Sequence, residues 1–151
     1  MKAVIQRCSN ANLEIEHFDY GSINQGLVVF IAFNSTDTIE RIKWMCNKIA
    51  NLRIFSDDEG KMNKSVLDIS GEILVISNFT LYGNCKKGFR PNFMNAAPPE
   101  FAEQMYDFFI KHLKNSYSIN IVQGKFGAMM NISINNDGPV TIILEKETET
   151  K

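Results

Sequence analysis

The sequence predicts a mixed α/β fold in which a largely antiparallel, barrel-like sheet carries two main helices. Three observations carry this. Strand-length apolar or alternating runs outnumber helical stretches. Most connections between them are too short for the crossovers that parallel neighbours need. At 151 residues and 44% apolar content the chain can bury one core without disulfides or a structural metal. The expected organisation is a single domain over residues 1–145, followed by a polar tail from Lys146 to Lys151.

Lys2 to Ser9 alternates apolar Ala3 and Ile5 with polar neighbours and reads as a strand, with a second at Asn12 to Glu16. Phe18-Asp19-Tyr20-Gly21 reads as a turn, with His17 exposed beside it. After Gly26, Leu27 to Phe33 is unbroken and apolar, so that strand is buried on both faces. Asp37-Thr38-Ile39-Glu40 starts a helix, with Asp37 capping early N–H groups while Glu40 reaches back. The helix runs to about Asn51, and Ile39, Ile42, Met45, Cys46 and Ile49 share its apolar stripe. Cys46 is therefore packing rather than a nucleophile. Asp57-Asp58-Glu59-Gly60 is a hairpin turn that lacks the later ligands of a calcium loop.

Glu72 to Ser77 is a second buried strand and runs straight into Asn78-Phe79-Thr80-Leu81. Pro98-Pro99 opens the second helix, with Phe101, Met105, Phe108 and His112 on one face and His112 at a core margin. Strands at Ile119 to Val122, Met129 to Asn135 and Val140 to Glu145 close the order.

Several function classes drop out. No apolar stretch reaches the span of a bilayer, and the opening residues lack a secretory core, which points to a soluble, cytoplasmic protein. Cys8, Cys46 and Cys85 are few, odd in number and unpaired by spacing, as reduced cytosolic thiols are. With only His17 and His112, far apart, no metal site or cofactor is expected. A net charge of −1 argues against nucleic-acid binding by bulk electrostatics. Yet Cys85 to Arg90 carries Lys86, Lys87 and Arg90, leaving the rest of the chain at −4. By charge alone that run is a solvated loop or a local anion contact.

Three segments stand out from scaffold. In Ser77-Asn78-Phe79-Thr80-Leu81 a buried strand ends in polar side chains, and strand alternation predicts Asn78 and Thr80 on one wall. Asn136-Asp137-Gly138-Pro139-Val140-Thr141 reads as a hairpin connection between apolar strands, with a proline at the mouth of the second. The third is the basic loop from Lys86 to Asn92, close in sequence to Thr80.

On these residues the chain resembles D-aminoacyl-tRNA deacylases of the Dtd type. The resemblance runs from Met1 to Arg7 through Asn51 to Phe55, Gly60 to Asn63, Ser77 to Leu81, Lys86 to Pro91, Ala96 to Glu100 and Phe126-Gly127 to Asn136 to Thr141. Its most specific parts are the Ser-Gln-x-Thr motif, matched by Ser77 to Thr80, and the Asn-x-Gly-Pro-x-Thr motif, matched by Asn136 to Thr141. One departure is visible: Asn78 stands where the family has Gln, which keeps the amide and shortens its reach by one methylene.

The resemblance implies a Dtd-like fold and a homodimer that hydrolyses the ester joining a D-amino acid, or glycine, to the 3′-terminal ribose of tRNA. It implies a cis Gly138-Pro139 peptide that enters the partner's site, grips the substrate ammonium with its carbonyls and leaves an L side chain no room. Ser77, Asn78, Phe79 and Thr80 would then be catalytic. Lys86, Lys87 and Arg90 would meet acceptor-end phosphates, and Asn136 and Thr141 would lie at the substrate. Phe89 would stack on the terminal adenosine or plug the space between loops. The partners implied are aminoacylated tRNA and a second copy of the chain, with no DNA and no membrane.

The chemistry has its own logic. An enzyme that rejects one enantiomer and accepts many side chains must read the ammonium and the ester, and rigid main-chain groups suit that task. No histidine lies in the motifs to activate Thr80, so a site that positions the ester and stabilises the oxyanion near Phe79 and Thr80 fits better than a triad. Water or the vicinal ribose hydroxyl then attacks. A small-molecule or altered editing esterase, and a non-catalytic tRNA-binding module, are the competing readings.

Overall fold

The computed structural model describes residues 1–146, so most of the expected tail, residues 147–151, lies outside the described residues. The chain forms β1 (Lys2–Ile15), β2 (Phe18–Ile23), β3 (Gly26–Ala32), α1 (Ile39–Asn51), β4 (Phe55–Ser56) and β5 (Met62–Lys64). There follow β6 (Glu72–Ser77), a single 3-10 turn (Phe79–Tyr82), α2 (Pro99–Ser116), β7 (Ile121–Gln123) and β8 (Met130–Glu145). The main sheet has the order β2-β1-β3-β6-β7, with β8 also paired to β1. The pairs β1–β2, β1–β3 and β1–β8 are antiparallel. Only β3–β6 and β6–β7 are parallel, and helices α1 and α2 lie within those two crossovers, as parallel pairing demands.

Alternation along the central strands builds two cores, one on each face of the sheet. Leu27, Val29 and Ile31 of β3 and Ile73 and Val75 of β6 meet the helices, along with Met45, Cys46 and Ile49 of α1 and Phe109 and Leu113 of α2. Val28, Leu74 and Ile76 point the other way and pack with Ala11 and Leu13 of β1 and Ile23 of β2. Each fully buried Leu, Ile or Val here stabilises the fold by about 1.5–3 kcal/mol. Cys46 is core, as its stripe predicts, and burial pushes its thiol up to about 12.

Several boundaries differ from expectation for identifiable reasons. The two expected strands at Lys2 to Ser9 and Asn12 to Glu16 are one strand, because β1 passes the polar pair Ser9-Asn10 through a bulge while keeping β8 as partner. Phe18 to Gly21 is strand, not turn. The reversal is made by Glu16 and His17, both at positive φ (53° and 67°), a conformation their side chains do not advertise. In α1 the cap is Thr38, whose hydroxyl accepts from Arg41 N–H. Asp37 is taken up elsewhere, accepting from the Met1 ammonium at 2.7 Å and from Asn34 N–H at 2.7 Å.

The buried stripe of α2 is Tyr106, Phe109, Ile110 and Leu113, one residue round from the expected face. Phe101, Met105, Phe108 and His112 form the margin of that face, where His112 stacks on Phe108 at 6.0 Å. The largest correction concerns Asn136 to Thr141, which is no hairpin. The two strands expected at its ends are a single strand, β8, and the segment lies within it.

Candidate active site

Strands β3 and β6 run parallel and end side by side, with Ile31 opposite Ser77. Ligands collect at such carboxyl ends because the chain must leave the sheet there. Phe33, Ile76, Ser77, Asn78 and Phe79 form one wall of a cavity of about 790 Å³. Phe93, the Ala96 to Pro99 approach to α2, and Phe126 to Met130 with Ile132 form the others. The lining is mostly apolar and aromatic, with polar groups confined to the Ser77-Asn78 edge.

The expected strand alternation stops at Ser77, because the chain winds into the 3-10 turn Phe79–Tyr82 with Asn78 as its cap. Asn78 N–H donates to Ile31 C=O at 2.8 Å, which ties the turn to β3. The Asn78 side-chain oxygen accepts from the Thr80 hydroxyl at 2.5 Å and from Thr80 N–H at 3.3 Å. Asn78 and Thr80 therefore meet through a turn rather than by sharing a strand face, and Thr80 is not among the cavity-lining residues. An amide oxygen is too weak a base to take the Thr80 proton, and among the described residues no histidine or carboxylate is bonded to that hydroxyl. Phe79 N–H, at the first position of the turn, has no partner within it. The Phe79 ring is 57% exposed and meets Phe93 edge-on, centroids 5.2 Å apart.

The basic loop is closed by reciprocal bonds between Asn84 and Asn92, with N–H to C=O distances of 2.8 and 3.0 Å. Lys86, Lys87, Phe89 and Arg90 are all exposed, and Phe89 is fully so at 105%, so it plugs nothing within this chain. None of the four lines the apolar cavity.

Gly138-Pro139 is a cis peptide on the exposed side of β8. Gln6 pairs with Thr141 and Cys8 with Asn136, so Asp137, Gly138, Pro139 and Val140 bulge out opposite the single residue Arg7. Gly138 is at φ 125°, and a Cβ there would stand 2.8 Å from Val140 N and 3.3 Å from Arg7 Nη2. Asn136, Gly138, Pro139 and Thr141 line no part of the apolar cavity. Met130 and Ile132 of the same strand do, and Ile132 lies six residues from Gly138. At strand rise the two ends are roughly 20 Å apart. Ser77 sits in the row of Ile31 and Ala3, three strands from β8 and four residues along from Arg7, so the two motifs stand apart within one chain.

The bulge is braced by a residue whose role the motifs do not announce. Arg7 donates from Nε to Asp137 C=O at 3.2 Å and from Nη1 to Ile54 C=O at 2.7 Å, and pairs with the Asp137 carboxylate at 3.1 Å. It is 8% exposed. The signal was there: Ala3, Ile5 and Arg7 share the inward parity of β1, and a charge at a core position needs partners. Phe93 and the carboxyl-end residue Phe33 were also missed, since an aromatic in a loop or at a strand end carries no local mark of lining a cavity. Among the described residues no cluster of three or more His, Cys, Asp or Glu side chains is placed to hold a metal, and no helix is long and apolar enough to cross a membrane.

A D-aminoacyl-tRNA deacylase of Petrotoga mobilis is 49% identical over 147 residues, covering 97% of this chain and 98% of its own. One of Clostridium botulinum is 51% identical over 145 residues, covering 96% and 97%. A solved structure described as c-Myc DNA unwinding element binding protein superposes with a TM-score of 0.93 at 42% identity, covering 98% of this chain and all (100%) of that one. A probable eukaryotic D-amino acid tRNA deacylase shares the fold, with a TM-score of 0.82 at 19% identity over 95% and 97% of the two chains. The family model for D-Tyr-tRNA(Tyr) deacylase matches residues 4–145, from the third residue of β1 to the last of β8, and this chain belongs to that family.

Proposed function

We propose that this protein is a D-aminoacyl-tRNA deacylase, a hydrolase that cleaves the ester between a D-amino acid or glycine and the 3′-terminal ribose of tRNA. It acts in the cytoplasm as one catalytic domain over residues 1–145. The observation that carries this reading is the apolar, aromatic cavity at the ends of β3 and β6 with Ser77, Asn78 and Phe79 on its edge, in a chain 49% identical to a deacylase end to end.

The terminal adenosine enters the cavity, where aromatic and Met side chains suit a base. The ester carbonyl lies over the 3-10 turn, and Phe79 N–H donates to the oxyanion. The Asn78 amide nitrogen, with no partner among the described residues, donates to the substrate, while its oxygen holds Thr80. Thr80 orients the attacking water or the vicinal ribose hydroxyl rather than attacking, since nothing bonded to it takes its proton.

Chiral selection needs Gly138-Pro139 at the ester, and its distance along β8 from the cavity supports a homodimer in which each bulge enters the partner's site. Among the described residues β8 pairs only with β1, so its other edge is open to a second copy, and Ile143 on it is 65% exposed. Lys87 and Arg90 meet acceptor phosphates, Phe89 stacks on an exposed base, and Asn136 and Thr141 fix the ends of the bulge.

The test is deacylation of one tRNA charged separately with D-tyrosine, L-tyrosine and glycine, with duplex DNA as competitor. Loss of the D-tyrosyl and glycyl esters, with the L ester left intact and DNA without effect, is expected. Equal loss of D and L esters points to an unselective esterase, and tRNA binding without cleavage to a binding module.

A further inference from the structure

A second cavity of about 580 Å³ lies against the first. Chain neighbours line the two: Phe33 the first and Asn34 the second, Ala96 the first and Asn95 the second. The 3-10 turn also divides between them, with Phe79 in one and Tyr82 in the other. Their characters are opposite. The second is polar, and Lys2, Arg41, Lys86 and Lys146 converge on it with Asp37 as the one carboxylate among its lining residues.

The charge there is unbalanced. Asp37 is already matched by the Met1 ammonium at 2.7 Å, and Lys2 by Glu145 at 3.0 Å. Arg41 is 3.6 Å from the shared Asp37 and is fixed by Thr36 C=O at 2.9 Å. Lys146 is held over the Trp44 ring at 5.2 Å, and Lys86 has no ion pair among the described residues. Arg41, Lys86 and Lys146 are thus three cations in excess, in a chain whose net charge is −1.

We propose that this cavity binds a phosphate of the acceptor strand, just upstream of the terminal adenosine, through Arg41, Lys86 and Lys146. The inference rests on the deacylase reading of the apolar cavity and adds a contact to it. A base beside a phosphate is the repeating unit of a nucleic-acid strand, and an apolar cavity sharing a wall with a cationic one presents that unit in order. Guanidinium and ammonium donors around an open polar cavity suit a phosphate's several oxygens. A free nucleotide offers the same chemistry and is separated from a strand by the experiment.

The experiment compares wild type with Arg41→Gln and Lys146→Gln. Arg41 also braces the Thr36 carbonyl, so Lys146→Gln is the variant that leaves that brace intact. Hydrolysis of D-tyrosyl-tRNA and of phosphate-free D-tyrosyl-adenosine is followed, and binding of uncharged tRNA is measured across a range of salt.

In each variant KM for D-tyrosyl-tRNA should rise about tenfold. The logarithmic salt dependence of binding should become shallower by about 0.7 for the lost phosphate contact. The ratio of kcat/KM for D-tyrosyl-tRNA over D-tyrosyl-adenosine should fall with it. A cytidine-cytidine-adenosine trinucleotide should compete better than AMP or inorganic phosphate. Equal losses on both substrates, or an unchanged salt slope, overturn the proposal, as does tighter binding of AMP than of the trinucleotide. If no ester is cleaved but the variants still weaken salt-sensitive tRNA binding, the deacylase reading falls and the phosphate site stands.

Discussion

The turn at Ser77 to Thr80 and the bulge at Asp137 to Val140 are built to similar standards yet finished to different degrees. The turn is anchored to β3 by Asn78 N–H, capped by its own side chain, and faces a cavity its own chain completes. The bulge is anchored as firmly from behind, by Arg7 to Asp137 and Ile54, but Gly138 and Pro139 line neither of the two cavities described above. A backbone feature held by a nearly buried arginine and exposed on its other side is what the proposed shared site requires of each chain. The comparison teaches that motif strength and site completeness are separate properties, and that the second depends on what stands opposite.

The comparison breaks most readily at Gly138. Its φ of 125° and the 2.8 Å from a would-be Cβ to Val140 N mean that any side chain displaces the bulge. For Gly138→Val, kcat/KM on D-tyrosyl-tRNA should fall about a hundredfold, as misplacement near 1 Å does, and the melting temperature should fall as well, because a β-branched residue at that φ is strained even where it is exposed. Arg7→Ala should act on the bulge from behind. Removing a nearly buried guanidinium leaves the Ile54 and Asp137 carbonyls unsatisfied, and chemical denaturation should show about 2 kcal/mol lost together with activity.

On the turn, Thr80→Val should lower kcat about tenfold, the loss of one orienting hydrogen bond, while Thr80→Ser stays near wild type. A loss beyond about ten-thousandfold would instead identify Thr80 as a covalent nucleophile. The smallest effect concerns thiols. Burial pushes Cys8 up to about 11, against a hydrogen bond to Gly26 C=O that pulls it down, and pushes Cys46 up to about 12. Both stay protonated until pH passes those values, so iodoacetamide at pH 8 should label only exposed Cys85, as read by intact mass.

What could be read in advance follows how local its cause is. The apolar run of β3, the stripe of α1 and the turn at Asp57 to Gly60 depend on neighbours in sequence, and they stand where expected. The reversal at Glu16-His17 does not, because two non-glycine residues at positive φ are held there by strand pairing on either side. The bulge reads as a hairpin for a related reason. Asn-Asp-Gly-Pro has turn chemistry, and only β1 running alongside shows that the chain leaves in the direction it arrived. Thr80 and Asn78 were identified as neighbours, but by alternation, where a capped turn makes the contact. Arg7 was legible by parity and was passed over because its partners lie 130 and 47 residues away.

The central claim is that the turn of one chain works with the bulge of another, and subunit mixing tests it most directly. Thr80→Val and Gly138→Val proteins, each impaired alone, are unfolded together, refolded at equal concentration and assayed on D-tyrosyl-tRNA. If the site is shared, half the dimers are mixed and each holds one site with both native elements, so activity should rise to about a quarter of wild type. Activity that stays at the mean of the two separate stocks, about a twentieth of wild type given the losses expected above, would contradict the account and put both elements in one chain's site.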